Sequence, residues 1–539
     1  MKKVLFSLIL INSFSSAQFR DYSFGDSYGD MGNSQSAESG SMIFNSDGNI
    51  IVVGSIFLTY LSIGKYTYDG KYINDNFAKT NLGFFQGTVV LPSGNQGQAF
   101  NRYEYTKVIQ LSNGKYSILG NYDVSSVSSS VKSFYSLLLN SNGVGENYSS
   151  IKMDYPNYNT YTPSFYDRAN DFVELPDGKI FICGIADYNY PGTKTALTRF
   201  NQDGTVDTTF GNNGRLYLTI NDTNGNETSG ANNVFLQNDK LIIIGTGNIN
   251  GNTGPSANND IYMIRLNLDG TYDTTFGNNG KIVFNPNIPD ASQYCKTVRD
   301  NNGNFYISGY SNLSAANTSP SYQTWIMKIS QNGMIDTSFG VNGIIKHNSF
   351  VLTGKSGKLV SLTVNDTGVY IAQQYDAMQH GSGLLTGPDI YLSKFTTNGV
   401  IDNIFGINGL FYAIGARSKT DMMSDSQNRV LVSGVSYGPK TVNSSVRRFI
   451  TNTYLGTAET NTSTDDLSYY PNPVQDILTI NNKGKVDIKE IQLLSYAGQF
   501  IKNINFKKSD KTISVDLIGV PTGNYLLKVN NKIIKIIKK

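Results

Sequence analysis

Short apolar runs recur along most of this chain, each led by turn residues and closed by a glycine. Asp47-Gly48 leads to Gly54, Asn113-Gly114 to Gly120 and Asp177-Gly178 to Gly184; further runs close at Gly245, Gly309 and Gly434. Residues 367–372 fill the slot between the last two without the closing glycine. The closing positions step by 66, 64, 61 and 64 residues, then by 125 for two copies, which makes seven copies. A fixed period of this length sets the architecture before any single residue is interpreted.

A second element follows each run. Its clearest copy is Asp203, Gly204, Asp207, Phe210 and Gly211, with matches around Gly270, Gly333 and Gly399. There Asp273, Asp336 and Asp402 are each followed three residues on by Phe276, Phe339 and Phe405, and weaker copies lie at Gly70 and Gly143. Each period reads as four strands; in the best copy they are 171–175, 179–185, 195–201 and 215–220. Asx-Gly pairs between strand residues mark hairpins, because the turn needs a positive φ that Gly and Asn tolerate. Four short antiparallel strands repeated seven times predict an all-β fold, a seven-bladed β-propeller over residues 18–455. A β-solenoid is the alternative, with shorter rungs and parallel strands. The block ending at Gly434 lacks the second element, and an orphan copy stands near the chain start as Asp21, Phe24 and Gly25. The N-terminal strand is therefore expected to supply the outer strand of blade seven, closing the ring and removing an exposed edge.

The two ends carry different signals. Lys2 and Lys3, the apolar run 4–11 and the small residues Ser15 and Ala17 form a signal-peptide pattern over 1–17, with cleavage expected near Ala17. No segment approaches the roughly 20 apolar residues of a spanning helix. Residues 456–466 are a polar linker, and 467–539 read as a compact β-domain ending in the strand 532–539.

Composition narrows the function classes. Apolar residues at 39% and aromatics at 12% are enough for packed cores, while charged residues are only 16%. The net charge of +3, with signs mixed, gives no nucleic-acid footprint. Cys183 and Cys295 fall in blades three and five, so two buried thiols are expected in place of a disulfide.

The blade pattern over about 160–460 resembles the exported bacterial delta-sixty repeats. That resemblance implies a propeller-like fold and brings no assigned catalytic residues. The C-terminal elements Pro471, Asn472 and Pro473, then Gly498, then Gly523, Tyr525 and Lys535 resemble the type A sorting domain of the type IX secretion system. This implies a small β-sandwich that engages the secretion machinery and its sortase and takes the protein across the outer membrane, to be secreted or held at the cell surface. An immunoglobulin-like accessory module is the alternative.

Candidate chemistry is sparse. Lys65, Arg199, Arg265, Lys328 and Lys394 each precede a turn glycine by five residues, and Asp207, Asp273, Asp336 and Asp402 follow it by three. Cross-strand ion pairs repeated in each blade explain these columns better than a ring of anion ligands. The Asn201–Asp207 and Asn267–Asp273 segments hold too few oxygens for calcium and read as turns. His347 and His380 have no metal-ligand spacing, so neither a metal nor a cofactor is expected. Trp325, in a column with Ala196, Tyr262 and Tyr391, reads as packing between blades. Asp171, Glu174 and Asp300 are the acids that a carboxylate-only glycosidase would draw on. With tight A–B and C–D turns, the bulk is expected in the B–C and D–A loops on the opposite edge. Those loops are rich in tyrosine: Tyr155, Tyr158, Tyr161, Tyr166, Tyr188, Tyr190, Tyr310, Tyr375 and Tyr437. Loops on a rigid scaffold and amphipathic aromatics both suit recognition. The sequence thus predicts a binding propeller for a glycan or protein; a secreted polysaccharide-acting enzyme and a structural surface protein are the other readings.

Overall fold

The computed structural model describes residues 37–56, 60–71, 101–126, 129–153, 167–187, 193–220, 228–249, 260–284, 292–312, 322–348, 357–375, 389–403, 409–415, 420–437, 442–450 and, apart from short gaps, 467–539. It also describes Asp21, Phe24, Ile73, Phe77, 88–89 and 405–406. Residues 1–17, expected to be a signal peptide, and His380 lie outside the described residues. The chain divides into two compact units, Met1–Thr453 and Tyr454–Lys539.

The first unit is built of antiparallel modules that follow the sequence period. Module three pairs Arg168–Glu174, Ile180–Asp187, Thr193–Phe200 and Arg215–Leu218 in chain order. Modules one, two, four, five and six repeat that order, and module seven has three described strands, Met422–Ser424, Val430–Tyr437 and Val442–Phe449. One pairing, Gly415 with Val435, joins modules six and seven into a single sheet. The first strands of modules one to seven are Ala37–Phe44, Asn101–Gln110, Arg168–Glu174, Thr228–Gln237, Ser292–Arg299, Lys358–Asn365 and Met422–Ser424. Each lies against the next in chain order, and that of module seven lies against that of module one.

The core sits in the seams between modules. Phe181, Leu197 and Phe210 of module three pack on Leu241, Ile243 and Ile264 of module four. Comparable clusters fill the seams four–five, five–six and six–seven, where Trp325, Ile371 and Phe411 are buried. Between modules seven and one, Leu431 and Val446 meet Met42, Ile50, Val52 and Phe24. At about 1.5–3 kcal/mol for each large apolar side chain fully buried, these seams dominate the cohesion of the unit. Cys183 is free and buried in the three–four seam, where burial above all pushes its thiol well up.

The recurring glycine has a steric cause. The first strands of modules one to five carry a bulge opposite it, as between Ala231 and Asn233 opposite Gly245. A Cβ at Gly184 would lie 2.0 Å from Arg168 O, and one at Gly245 would lie 2.4 Å from Gly230 O. In module six the slot holds Gln373, fully buried, whose amide donates to Thr324 Oγ1 at 3.1 Å and accepts from Ser393 Oγ at 3.3 Å.

The connections correct one expectation. The A–B links and the C–D link of module two, Leu139 to Gly145, are tight turns, but the C–D links of modules three to six are not. From Phe200 to Arg215 the chain makes the Gly204 turn, then the Asp207–Phe210 segment, then a second turn at Gly214. The B–C links of modules one and two are short, Ile56 to Tyr60 and Ser126 to Ser129, while those of modules four to six are long. The contrast between the two edges is weaker than the sequence implies, because the Asp-x-x-Phe-Gly element is itself folded into the C–D edge.

The second unit is a two-layer β-structure. One sheet orders Leu467–Tyr470, Ile477–Asn482, Thr512–Asp516 and Phe506–Lys508; the other orders Phe500–Asn503, Ile491–Ser495, Gly523–Val529 and Lys532–Lys538. Leu478, Ile480 and Val515 from the first share a core with Leu493, Leu527 and Ile536 from the second.

Candidate functional site

The residue that follows each bulge, or its counterpart, forms a polar column along the first strands: Ser41, Lys107, Asp171, Asn233, Lys296, Ser361 and Asp421. Lys107 Nζ meets Asp171 Oδ1 at 2.5 Å. Asp171 Oδ2 accepts from Asn233 Nδ2 at 2.8 Å and from the Val234 amide at 3.1 Å, and Asn233 Oδ1 accepts from the Thr297 amide at 3.1 Å. Lys296 donates to Ser361 Oγ at 3.4 Å and to Met422 O at 3.1 Å, and it ion-pairs with Asp421. Two ammonium groups and two carboxylates therefore balance within one column. Asp171 is buried while Lys107 and Lys296 remain about a third exposed, so the cationic arms border accessible space. Of these residues only Asp171 is among the sequence candidates. The signal for the column is positional: in modules one to five and in module seven each member stands twelve or thirteen residues before the repeat glycine.

The acids proposed for hydrolysis do not come together as a pair. Glu174 takes the Ser112 amide at 2.8 Å and the Ser112 hydroxyl at 2.7 Å on an exposed edge. Asp300 accepts the amides of Asn302 and Asn304 and so caps its own A–B turn. Among the described residues, the carboxyl pushed upward by burial is Asp260, at the start of a third strand. Glu174 also borders an open cleft of about 550 Å³ between the A–B hairpins of modules one and two, with Phe44, Gln110 and Leu111.

The basic and acidic columns of the hairpins form the ion pairs expected of them. Arg199 Nε lies 2.7 Å from Asp207, Arg265 Nε 2.9 Å from Asp273, Lys328 Nζ 2.8 Å from Asp336 and Lys394 Nζ 3.2 Å from Asp402. In each case the Asp amide also donates to the carbonyl of its cation's residue, and the Phe three residues on donates back to the Asp carbonyl. The ring of that Phe lies under the cation, 5.0 Å from Arg199 and 4.7 Å from Arg265. Lys65 lies over Phe77 at 5.5 Å. Asp207 shows how the turn fixes its charge. Burial alone would raise its pKa, but the Thr209 hydroxyl, Lys179 and Arg199 outweigh burial and hold the carboxyl far below its usual range. The Thr275 hydroxyl is the leading cause that brings Asp273 down to about 2.

The same bonding pattern joins the chain's beginning to module seven. The Asp21 amide donates to Arg448 O at 3.0 Å, and the Phe24 amide to Asp21 O at 3.2 Å. Arg448 grips Asp21 Oδ2 through Nε and Nη2, both at 2.8 Å, and lies 4.5 Å over the Phe24 ring. Arg448 Nη1 reaches Tyr68 O of module one at 2.8 Å.

The tyrosine candidates fare unevenly. Tyr155, Tyr158, Tyr161, Tyr166, Tyr188 and Tyr190, and the side chain of Tyr437, lie outside the described residues. Tyr310 and Tyr375 are strand residues with buried side chains, not loop residues on a rim. Tyr310 meets Tyr322 edge-on at 5.6 Å and Tyr375 meets Tyr391 at 5.1 Å, so aromatic packing accounts for both.

In the second unit, Asn472 Oδ1 accepts the Ile537 amide at 2.8 Å between two cis prolyl bonds, at Pro471 and Pro473. Val474 continues the clip, donating to Ile537 O and accepting from the Lys539 amide. Tyr525 Oη donates to Pro521 O at 3.0 Å, and Gly523 pairs with Lys538. Gly498 and the side chain of Lys535 lie outside the described residues. The sorting elements therefore fold onto the terminal strand Lys532–Lys538.

Residues 468–539 match the family described as a secretion system C-terminal sorting domain, and residues 175–210 and 236–276 match a β-propeller domain of unknown function (DUF5122). No curated protein matches the chain. Among solved structures, Drosophila Semaphorin 2a is similar at 8% identity and a TM-score of 0.38, over 94% of this chain and 97% of that one. Drosophila Semaphorin 1b, extracellular domains 1–2, is similar at 9% identity and 0.37, over 78% and 86%. An exo-1,5-α-L-arabinanase from a bovine ruminal metagenomic library is similar at 11% and 0.29, over 56% and 98%. No helix among the described residues is long and apolar enough to cross a membrane. Part of the repeat region thus matches a β-propeller domain, and the end of the chain matches the sorting domain of the type IX secretion system, which implies export.

Proposed function

We propose that this protein is a recognition propeller, released from or displayed on the cell after cleavage near Ala17, that binds a glycan or protein on its B–C and D–A edge. In this reading the seven modules form a ring closed by Asp21 and Phe24. The succession of first strands, the seam between modules seven and one, and the repeated Asp–cation–Phe bonding at Arg448 support that closure. The observation that carries the binding reading is the state of the inner carboxylates. Asp171 and Asp421 are each tied into an ion pair with a lysine, so the two acids of the column are already partnered within the protein and do not form a pair open to a glycosidic bond. Glycan-array and pulldown screens with residues 18–455 test it; silence in both would leave the recognition reading without support.

A polysaccharide hydrolase is the second reading, and Asp260 is the observation in its favour. Burial raises its carboxyl, as an acid catalyst requires. Hydrolysis of a plant or bacterial polysaccharide that disappears with Asp260→Asn would replace the binding reading.

A further inference from the structure

Arg448 is among the largest fully buried side chains of the described residues, yet its partners come from two distant segments. Its guanidinium bonds Asp21 Oδ2 and Tyr68 O, stacks over Phe24, and lies 5.5 Å over the Tyr68 ring. Arg429 stands 3.7 Å from the same carboxylate. Phe24 is wholly buried among Met42, Ile50, Val52, Leu431 and Val446. The cavity thus presents a cationic fork for one carboxylate, a carbonyl for one amide, and an apolar hole for one phenyl three residues later.

In modules three to six the Asp-x-x-Phe element belongs to the same hairpin as its cation, with Asp207 standing eight residues after Arg199. Here 427 residues separate the partners, and no local turn holds them together. Residues 25–36 lie between Phe24 and the first strand, outside the described residues. Recognition at this place therefore comes from the socket.

We propose that the socket around Arg448 is a peptide-binding site for Asp-x-x-Phe segments, filled by the protein's own N-terminus and able to take the same segment from a separate peptide. This rests on the closure described above and goes beyond it: closure needs only that the segment be docked, exchange needs that the socket itself carry the recognition. The ligand class is a short peptide with an aspartate and a phenylalanine three residues apart, bound as a charge-assisted pair with a buried ring.

The protein is first folded intact, with a protease site inserted within 25–36, and is then cut. The expected result is that the cut N-terminal peptide stays with the protein on gel filtration. A labelled peptide of residues 18–25 then displaces it, binding about tenfold or more tightly than peptides carrying Asp21→Asn or Phe24→Ala. The uncut protein, its socket filled, takes up little label. In a second arm, the full chain bearing Asp21→Ala and Phe24→Ala melts lower and is restored by the added peptide. A cut segment that stays but never exchanges, with no peptide binding to the vacated variant, overturns the socket and leaves closure standing. A cut segment that leaves at once with no change in melting overturns both. Should the vacated variant fail to fold, exchange in the cut protein decides.

Discussion

A methyl group on Gly245 would sit 2.1 Å from Tyr262 Oη and 2.4 Å from Gly230 O, so either the backbone or the ring must move. Gly245→Ala is expected to lower stability by about 1–3 kcal/mol in urea unfolding. At Gly48 nothing lies within 4 Å, and only the φ of +77° opposes a side chain, so Gly48→Ala should cost no more than about 1–2 kcal/mol. His347 gives a second test at this scale. It lies edge-on to Phe395 at 5.2 Å, and burial holds its pKa below 6.5. Below pH 6.5 the unfolded chain takes up a proton that the native imidazole refuses, so stability falls as pH drops and levels off only beneath the native pKa. His347→Gln should remove that slope from unfolding curves measured between pH 7 and 5; an unchanged slope would mean the native imidazole titrates as it does in the unfolded chain.

At the scale of the element, the hairpin ion pairs depend on turn chemistry as much as on charge. The Thr275 hydroxyl, 2.6 Å from Asp273, is the largest cause of that residue's low pKa of about 2. Thr275→Val should move it upward toward 3.8, as read by NMR titration. Because the native carboxyl is depressed, its contribution is complete above pH 3.8 and is lost as pH falls from 3.8 toward 2. Thr275→Val should shift that loss to higher pH. These columns were legible in the sequence because the cation, the turn and the aspartate sit in one hairpin at fixed spacing. Asp171 and Lys107 were not legible as partners. They meet only when two bulged first strands, sixty-four residues apart in sequence, pack side by side. Tyr310 and Tyr375 misled for the opposite reason: they follow or end a strand-like run, and composition alone cannot tell a strand's last buried ring from a loop's exposed one.

Over the whole molecule, the period gave the modules, and the matched families agree with the propeller reading over 175–210 and 236–276 and with the sorting domain over 468–539. What the period could not supply was the weight of each edge, since a C–D link such as Phe200 to Arg215 hides ordered turns inside an apparent hairpin. The sorting assignment predicts that a chain ending at residue 466 accumulates in the periplasm while the full chain reaches the medium or cell surface, as fractionation would show. The account as a whole stands on the docking of Asp21 against Arg448. A double-mutant cycle of Asp21→Ala and Arg448→Ala, followed by urea unfolding, reads that docking most directly. Each single change should cost about 3–5 kcal/mol, the usual loss when a buried pair is broken from one side. The double variant should cost little more than either alone. Two small losses that add to within about 0.5 kcal/mol would mean the residues do not meet in the native protein.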